Sequence, residues 1–256
     1  MGSARKTVFK RWFSIPLLLL LMTALALHAE VANRNTSYAA KLSIEGAIGP
    51  AAADYFARAL ASAEGSGAEL IVIRMDTPGG LDSAMRTIIK QITSSPLPIA
   101  TYVAPSGSRA ASAGTYILLA SHIAAMAPGT NVGAATPVQI GGISPLGGAD
   151  EEDENGDAGD DKPQPAAGKP RSGAGSSAMQ RKLINDAVAY IRGLAELHGR
   201  NQEWAELAVR EAASLSASEA LRLNVIDVMA DDVAALLQQI DGREVVVAGS
   251  KQVLQT

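Results

Sequence analysis

Residues 40–48 alternate apolar and polar positions through Leu42, Ile44 and Gly46, the period of a half-buried strand. Pro50 then opens a helix over 51–63, where Ala53, Phe56, Ala57, Leu60 and Ala61 recur at helical spacing. The run 68–75, centred on Leu70-Ile71-Val72-Ile73, has no polar alternation and reads as a strand covered on both faces; it ends at Asp76-Thr77-Pro78-Gly79-Gly80. Helical spacing resumes over 81–92 through Leu81, Met85, Ile88, Ile89 and Ile92, and Pro96 and Pro98 stop it. Residues 99–103 predict a short strand, Pro105-Ser106-Gly107-Ser108 a turn, and 113–120 a buried helix. Two further short strands, 123–127 and 131–135, flank Pro128-Gly129. Repeated strand, helix, strand crossovers argue an α/β fold with largely parallel sheets.

From 139 to 178 the pattern breaks into Gly, Pro, Ser and Ala with the acidic run Asp150-Glu151-Glu152-Asp153-Glu154, a low-complexity insertion that lacks the apolar surface to fold on its own. A loop of that length inside a domain suits a lid or an access element. A long helix follows over 179–199, with Leu183, Ile184, Ala187, Val188, Ile191, Leu194 and Ala195 on one face and Gly199 as its C-cap. Residues 203–213 continue helical, Ser216-Ala217-Ser218-Glu219 is a capping-box start, and short strands at 225–228 and 244–247 flank a helix at 232–240. At the other end, Arg5, Lys6, Lys10 and Arg11 precede an apolar run of about 13 residues, short of the roughly 20 that cross a bilayer, with small residues at Ala24, Ala26 and Ala29. Residues 1–29 therefore read as an export signal or N-terminal anchor, 30–248 as the main domain and 249–256 as a tail, and the chain is expected outside the cytoplasm.

Composition narrows the chemistry. A formal net charge of −4 offers no basic face for nucleic acid. The absence of cysteine removes disulfides, thiolate metal sites and a thiol nucleophile, and no metal or cofactor is expected.

A nucleophilic hydroxyl needs a corner of small residues and a neighbour that takes its proton. Ser112, in Ala110-Ala111-Ser112-Ala113-Gly114-Thr115, stands where a turn passes into an apolar helix, and there the Ala113 and Gly114 amides can face an oxyanion; serine is equally a common helix N-cap. Gly79 and Gly80 end a buried parallel strand, where open α/β sheets place their sites, although Pro-Gly is also ordinary turn chemistry. Lys182 heads the long helix, and an ordinary lysine holds its proton at pH 7, so a basic role needs desolvation and the positive helix end. The helical wheel sets Lys182 opposite the apolar face, as for a solvated residue. Among His28, His122 and His198, only His122 follows the Ser112 helix closely enough to rival the lysine; His198, just before Gly199, suits a cation at a helix C-terminus.

The residues Asp76 to Gly80, Pro105 to Ile117, Met126 to Pro137, Asn185 to Ile191 and Ser216 to Asp227 together resemble the ClpP-class protease domain of NfeD-type membrane proteins, over roughly 38–240. The resemblance implies the ClpP/crotonase fold, Ser112 as nucleophile, Lys182 as general base, and the amides of Gly80 and Ala113, with Gly79, as an oxyanion hole. It also implies cleavage of hydrophobic segments of a stomatin-like membrane partner, and a homodimer. Long NfeD members continue into membrane helices and a small OB-type barrel that these 256 residues do not carry. Either the sequence is a piece of a longer protein, or the protease domain acts apart from its membrane half. The expected function is an exported serine endopeptidase with a Ser/Lys dyad. The competing readings are a catalytically inactive module that binds hydrophobic tails, and a crotonase-type acyl-thioester enzyme, against which the export signal argues.

Overall fold

The computed structural model describes residues 38–138 and 173–256. The expected export segment and most of the acidic insertion lie outside the described residues. In chain order the elements are β1 (Ala39–Glu45), α1 (Pro50–Gly65), β2 (Leu70–Asp76), α2 (Asp82–Ser94), β3 (Ile99–Val103), β4 (Arg109–Ala111), α3 (Ala113–Ala120), β5 (Ile123–Met126), β6 (Asn131–Gly133), α4 (Gly173–Leu197), α5 (Gln202–Arg210), β7 (Ser214–Ser216), α6 (Ala217–Arg222), β8 (Val228–Met229), α7 (Val233–Ile240), β9 (Glu244–Val247) and β10 (Ser250–Val253).

A parallel sheet in the order β1-β2-β3-β5-β8 forms the centre. Its inner strands need apolar residues at every position because both faces are covered. Along β2, Ile71, Ile73 and Met75 join the core under α1, α2 and α3, while Leu70 and Val72 join a second core with Tyr102, Leu236, Ile240, Val245 and Val247. The continuous apolar run is therefore two alternating faces, both buried. A smaller sheet, β4-β6-β7, stands beside the ends of the first, and a single bridge from Thr77 to Ala110 joins them.

Three expectations change. Residues 249–256 do not form a loose tail: Ala248 and Gly249, both at positive φ, make the two-residue turn that folds β10 back on β9, and Leu254 is buried. Of the strand expected at 225–228 only Val228 enters the sheet, at β8; Val225 and Ile226 are buried in the turn after α6. The long helix starts at Gly173, so Lys182 is its tenth residue and lies beyond its first turn. The field of a helix N-terminus fades within a turn and does not reach it.

Polar groups cluster where the strands β3, β5 and β8 begin. The Arg200 guanidinium, almost wholly buried, donates to Asp227 Oδ2 at 2.6 Å and to the Leu119 carbonyl at 2.7 Å, and Asp227 also accepts the Ala124 N–H at 2.7 Å. His122 Nδ1 accepts the Ile99 N–H at 3.1 Å, and His198 Nε2 donates to the Ala120 carbonyl at 3.1 Å. The two rings meet edge to face, 5.6 Å between centroids. Burial pushes both imidazoles down to about 4, and the Arg200 cation pushes in the same direction. His198 is therefore a neutral donor near neutral pH, not the helix-end cation its position suggested.

Candidate active site

The site grows from the C-terminal end of β2. Thr77 is fully buried, and its Oγ1 accepts the Gly79 N–H at 3.0 Å, bending the chain after the strand. Ile48 pins the same stretch from both sides: its N–H donates to the Gly79 carbonyl at 2.8 Å and its carbonyl accepts the Leu81 N–H at 2.8 Å. Two glycines are sterically required here. A Cβ on Gly80 would fall 2.0 Å from the Ile48 carbonyl oxygen, and one on Gly79, whose φ is +116°, would fall 2.6 Å from Ser112 Cβ. Backbone thus passes against the serine with no side chain between. Gly79→Ala is expected to slow reaction of the Ser112 hydroxyl with a fluorophosphonate by about a hundredfold, since a displacement near 1 Å of a reacting group costs that much; labelling at the wild-type rate would show the serine can move aside freely.

Ser112 joins β4 to α3 with φ 51° and ψ −116°, a conformation that costs a non-glycine residue on the order of 1–3 kcal/mol. The surroundings enforce it: its N–H donates to the Gly133 carbonyl at 3.0 Å, and Thr115 Oγ1 donates to the carbonyls of Ala110 and Gly133, each at 2.9 Å. Although Ser112 occupies the N-cap position of α3, its side chain makes no capping bond. The strained turn instead leaves a half-buried hydroxyl at the mouth of a cavity. This is the geometry of a nucleophile elbow.

That cavity, about 240 Å³, is bounded by Gly80, Ser112 and Ala113, with Leu81, Met85, Tyr116, Pro137 and Ala187 supplying its apolar walls. The N–H groups of Gly80 and Ala113 have no hydrogen-bond partner among the described residues, as an oxyanion hole requires. Gly79 differs: its N–H is committed to Thr77, so its part is close approach to Ser112.

Lys182 lies on α4, is exposed in the isolated chain, and is not among the residues lining the cavity; Ala187 on the same helix is. His122 is at the far end of α3 from Ser112, eight helical residues or about 12 Å along the axis, occupied by the Ile99 amide. It is not the base of this site.

Arg86, Tyr116, Asp186 and Tyr190 were not singled out by sequence pattern. The Arg86 guanidinium on α2 donates to Asp82 at 2.9 Å and to Asp186 on α4 at 2.7 Å, and lies 4.3 Å over the Tyr190 ring, which stacks on Tyr116 at 6.0 Å. Burial and the nearby Asp82 carboxylate push the Tyr116 hydroxyl well up, so it is a neutral donor to the Ala135 carbonyl. The signals available were the Asp82/Arg86 spacing of four and tyrosines amid helical apolar positions, neither specific.

A family model described as the NfeD1b N-terminal domain matches residues 38–145. Over 226 residues, 88% of this chain and 44% of the relative, the sequence is 37% identical to the membrane-bound protease PH1510 of Pyrococcus horikoshii. Over 107 residues, 42% of this chain and 23% of the relative, it is 35% identical to the membrane protein NfeD1b of Bacillus subtilis. The chain spans less than half the length of these curated relatives. It superposes on the 1510-N membrane-bound stomatin-specific protease in a serine-to-alanine mutant with TM-score 0.69 and 35% identity, covering 86% of this chain and 93% of that one. A lysine-to-alanine mutant of the same protease, in complex with a substrate peptide, matches with TM-score 0.69 and 35% identity over 86% of this chain and 89% of that one. No helix among the described residues is long and apolar enough to cross a membrane. The fold is the ClpP/crotonase-like α/β fold of these solved structures, and the chain belongs to the NfeD family, its described residues corresponding to the solved 1510-N domain.

Proposed function

We propose that the chain is a serine endopeptidase that cleaves hydrophobic segments of membrane-associated proteins, with Ser112 as nucleophile and Lys182 as general base. The observation that carries the reading is the strained Ser112 turn, whose hydroxyl is free of capping and which lines one cavity with Gly80 and Ala113, whose N–H groups are unpaired among the described residues. The Ser112 hydroxyl adds to the peptide carbonyl as its proton passes to the Lys182 amine. The tetrahedral oxyanion is held by the two N–H groups, each worth about 2.7–4 kcal/mol of barrier. Collapse breaks the C–N bond, the Lys182 ammonium returns its proton to the leaving amine, and water then hydrolyses the acyl-serine by the same steps.

Spacing supports Lys182. In the relative the two mutated residues are 41 positions apart (138 − 97); Ser112 and Lys182 are 70 apart (182 − 112), an excess of 29 close to the length of the segment 139–172. The amine is exposed in the isolated chain, and peptide seated in the cleft or the second copy of a homodimer would complete its desolvation. The apolar cavity and the stomatin specificity named for the relative support a stomatin-like partner, and the basic-then-apolar N-terminus supports action on the extracytoplasmic side of a membrane. We place the protease domain at about 30–254, through the β9–β10 hairpin.

An inactive binding module remains the second reading because of the exposed Lys182. A fluorophosphonate probe separates the two: the enzyme labels at Ser112, Ser112→Ala does not label, and Lys182→Ala labels at least a hundredfold more slowly. No labelling of the wild-type protein would leave only the binding module.

A further inference from the structure

We infer that Arg86 is a positioning residue of this protease, drawing α4 against the cleft so that Lys182 is delivered to Ser112; the inference rests on the dyad proposed above. Three elements must meet for the chemistry: the turn before α2 that presents the Gly80 amide, the head of α3 that presents Ser112, and α4, which bears Lys182. One cluster ties all three together. Arg86 extends from α2, Asp186 and Tyr190 from α4, and Tyr116 from α3, one turn beyond Ser112.

Asp186 and Lys182 are four residues apart on one helix and so share a face. The contact of Arg86 with Asp186 therefore turns that face of α4 toward α2 and the cavity, which Ala187 also lines. The stack of Arg86 over Tyr190, one turn further along, adds a second point of attachment and fixes the rotation of α4 as well as its distance. Two points on successive turns are what a helix needs to hold one register against its neighbour. Asp82 takes another edge of the guanidinium from its own helix, so Arg86 is held from both sides while its side chain remains one-third exposed.

A residue that only stiffened the fold would not act through Lys182 alone, and that distinction sets the test. Cleavage of a hydrophobic peptide and fluorophosphonate labelling are measured for the wild type, Arg86→Gln, Lys182→Ala and the double variant, with Asp186→Asn and Arg86→Lys alongside. Arg86→Gln is expected to lower kcat by about ten- to a hundredfold with KM little changed, and Asp186→Asn to reproduce most of that loss. Arg86→Lys, which keeps the charge opposite Asp186, recovers part of it. In the Lys182→Ala background, Arg86→Gln should lower the residual labelling rate by less than about twofold, because there is no amine left to misplace. An equal fold-loss from Arg86→Gln with and without Lys182 would overturn the positioning role, as would a wild-type kcat in Arg86→Gln. If Lys182→Ala itself cleaves as the wild type does, the dyad fails instead, which is a separate result. Should Arg86→Gln lose its cooperative thermal transition, Asp186→Asn, an exposed surface change, carries the same comparison.

Discussion

Ser112→Ala is expected to lose peptide cleavage by roughly 10⁶-fold, the loss seen when a serine hydrolase loses its nucleophile, while its thermal unfolding stays within about a degree or two of the wild type. The more telling variant is Ser112→Gly. With φ 51° and ψ −116° the backbone at this position suits glycine and strains any residue with a Cβ. Glycine adds about 0.5–1 kcal/mol of unfolded-chain entropy, which relief of about 1–3 kcal/mol of strain outweighs. Ser112→Gly should therefore be as inactive as Ser112→Ala yet more stable than it by about 1 kcal/mol in urea unfolding. That pairing, inactivity with a gain in stability, is expected only where the fold stores strain to aim a side chain. An alanine variant more stable than the glycine variant would mean the turn is relaxed and the serine has no special presentation.

The residues that meet at the cleft were legible where local chemistry decides the outcome. The strand β3 and the helix α3 carry the bounds that apolar runs and proline stops predict, and Ser216 caps α6 through Glu219 as the motif implies. Gly79 and Gly80 were readable as a close approach, although which atoms approach, Ser112 Cβ and the Ile48 carbonyl, depends on contacts between segments distant in the chain. What escaped has physical reasons. Arg109-Ala110-Ala111 contains no β-branched residue, and β4 exists through its pairing with β6 and the bridge to Thr77. Gly173 to Ser177 has weak helix formers and reads as loop, but no proline follows Pro170 to stop α4 from extending back over it. Arg86 reaches Asp186 across 100 positions, and nothing in periodicity registers a pair that far apart. His198 differs from expectation because a position near a helix C-terminus argues for charge, whereas burial beside Arg200 decides against it.

That burial makes the stability of the domain fall in acid. His122 and His198 each fall to about 4 in the folded protein against an ordinary value near 6.5. Between those values the unfolded chain binds a proton at each ring and the folded chain does not, so stability decreases as pH falls from about 6.5 toward 4 and changes no further from this source below it. At about 1.4 kcal/mol per pH unit and group, the two imidazoles together remove several kcal/mol, a large share of the 5–15 kcal/mol typical of a domain. Urea unfolding of the wild type should accordingly show a midpoint that drops steeply between pH 6.5 and pH 5, before most carboxylates titrate. His122→Asn can accept the Ile99 N–H in place of Nδ1, and His198→Gln can donate to the Ala120 carbonyl in place of Nε2, so the double variant keeps both hydrogen bonds without a titrating ring. Its midpoint should be nearly flat over the same interval. Equal slopes in the two proteins would show that the acid sensitivity does not come from these two rings.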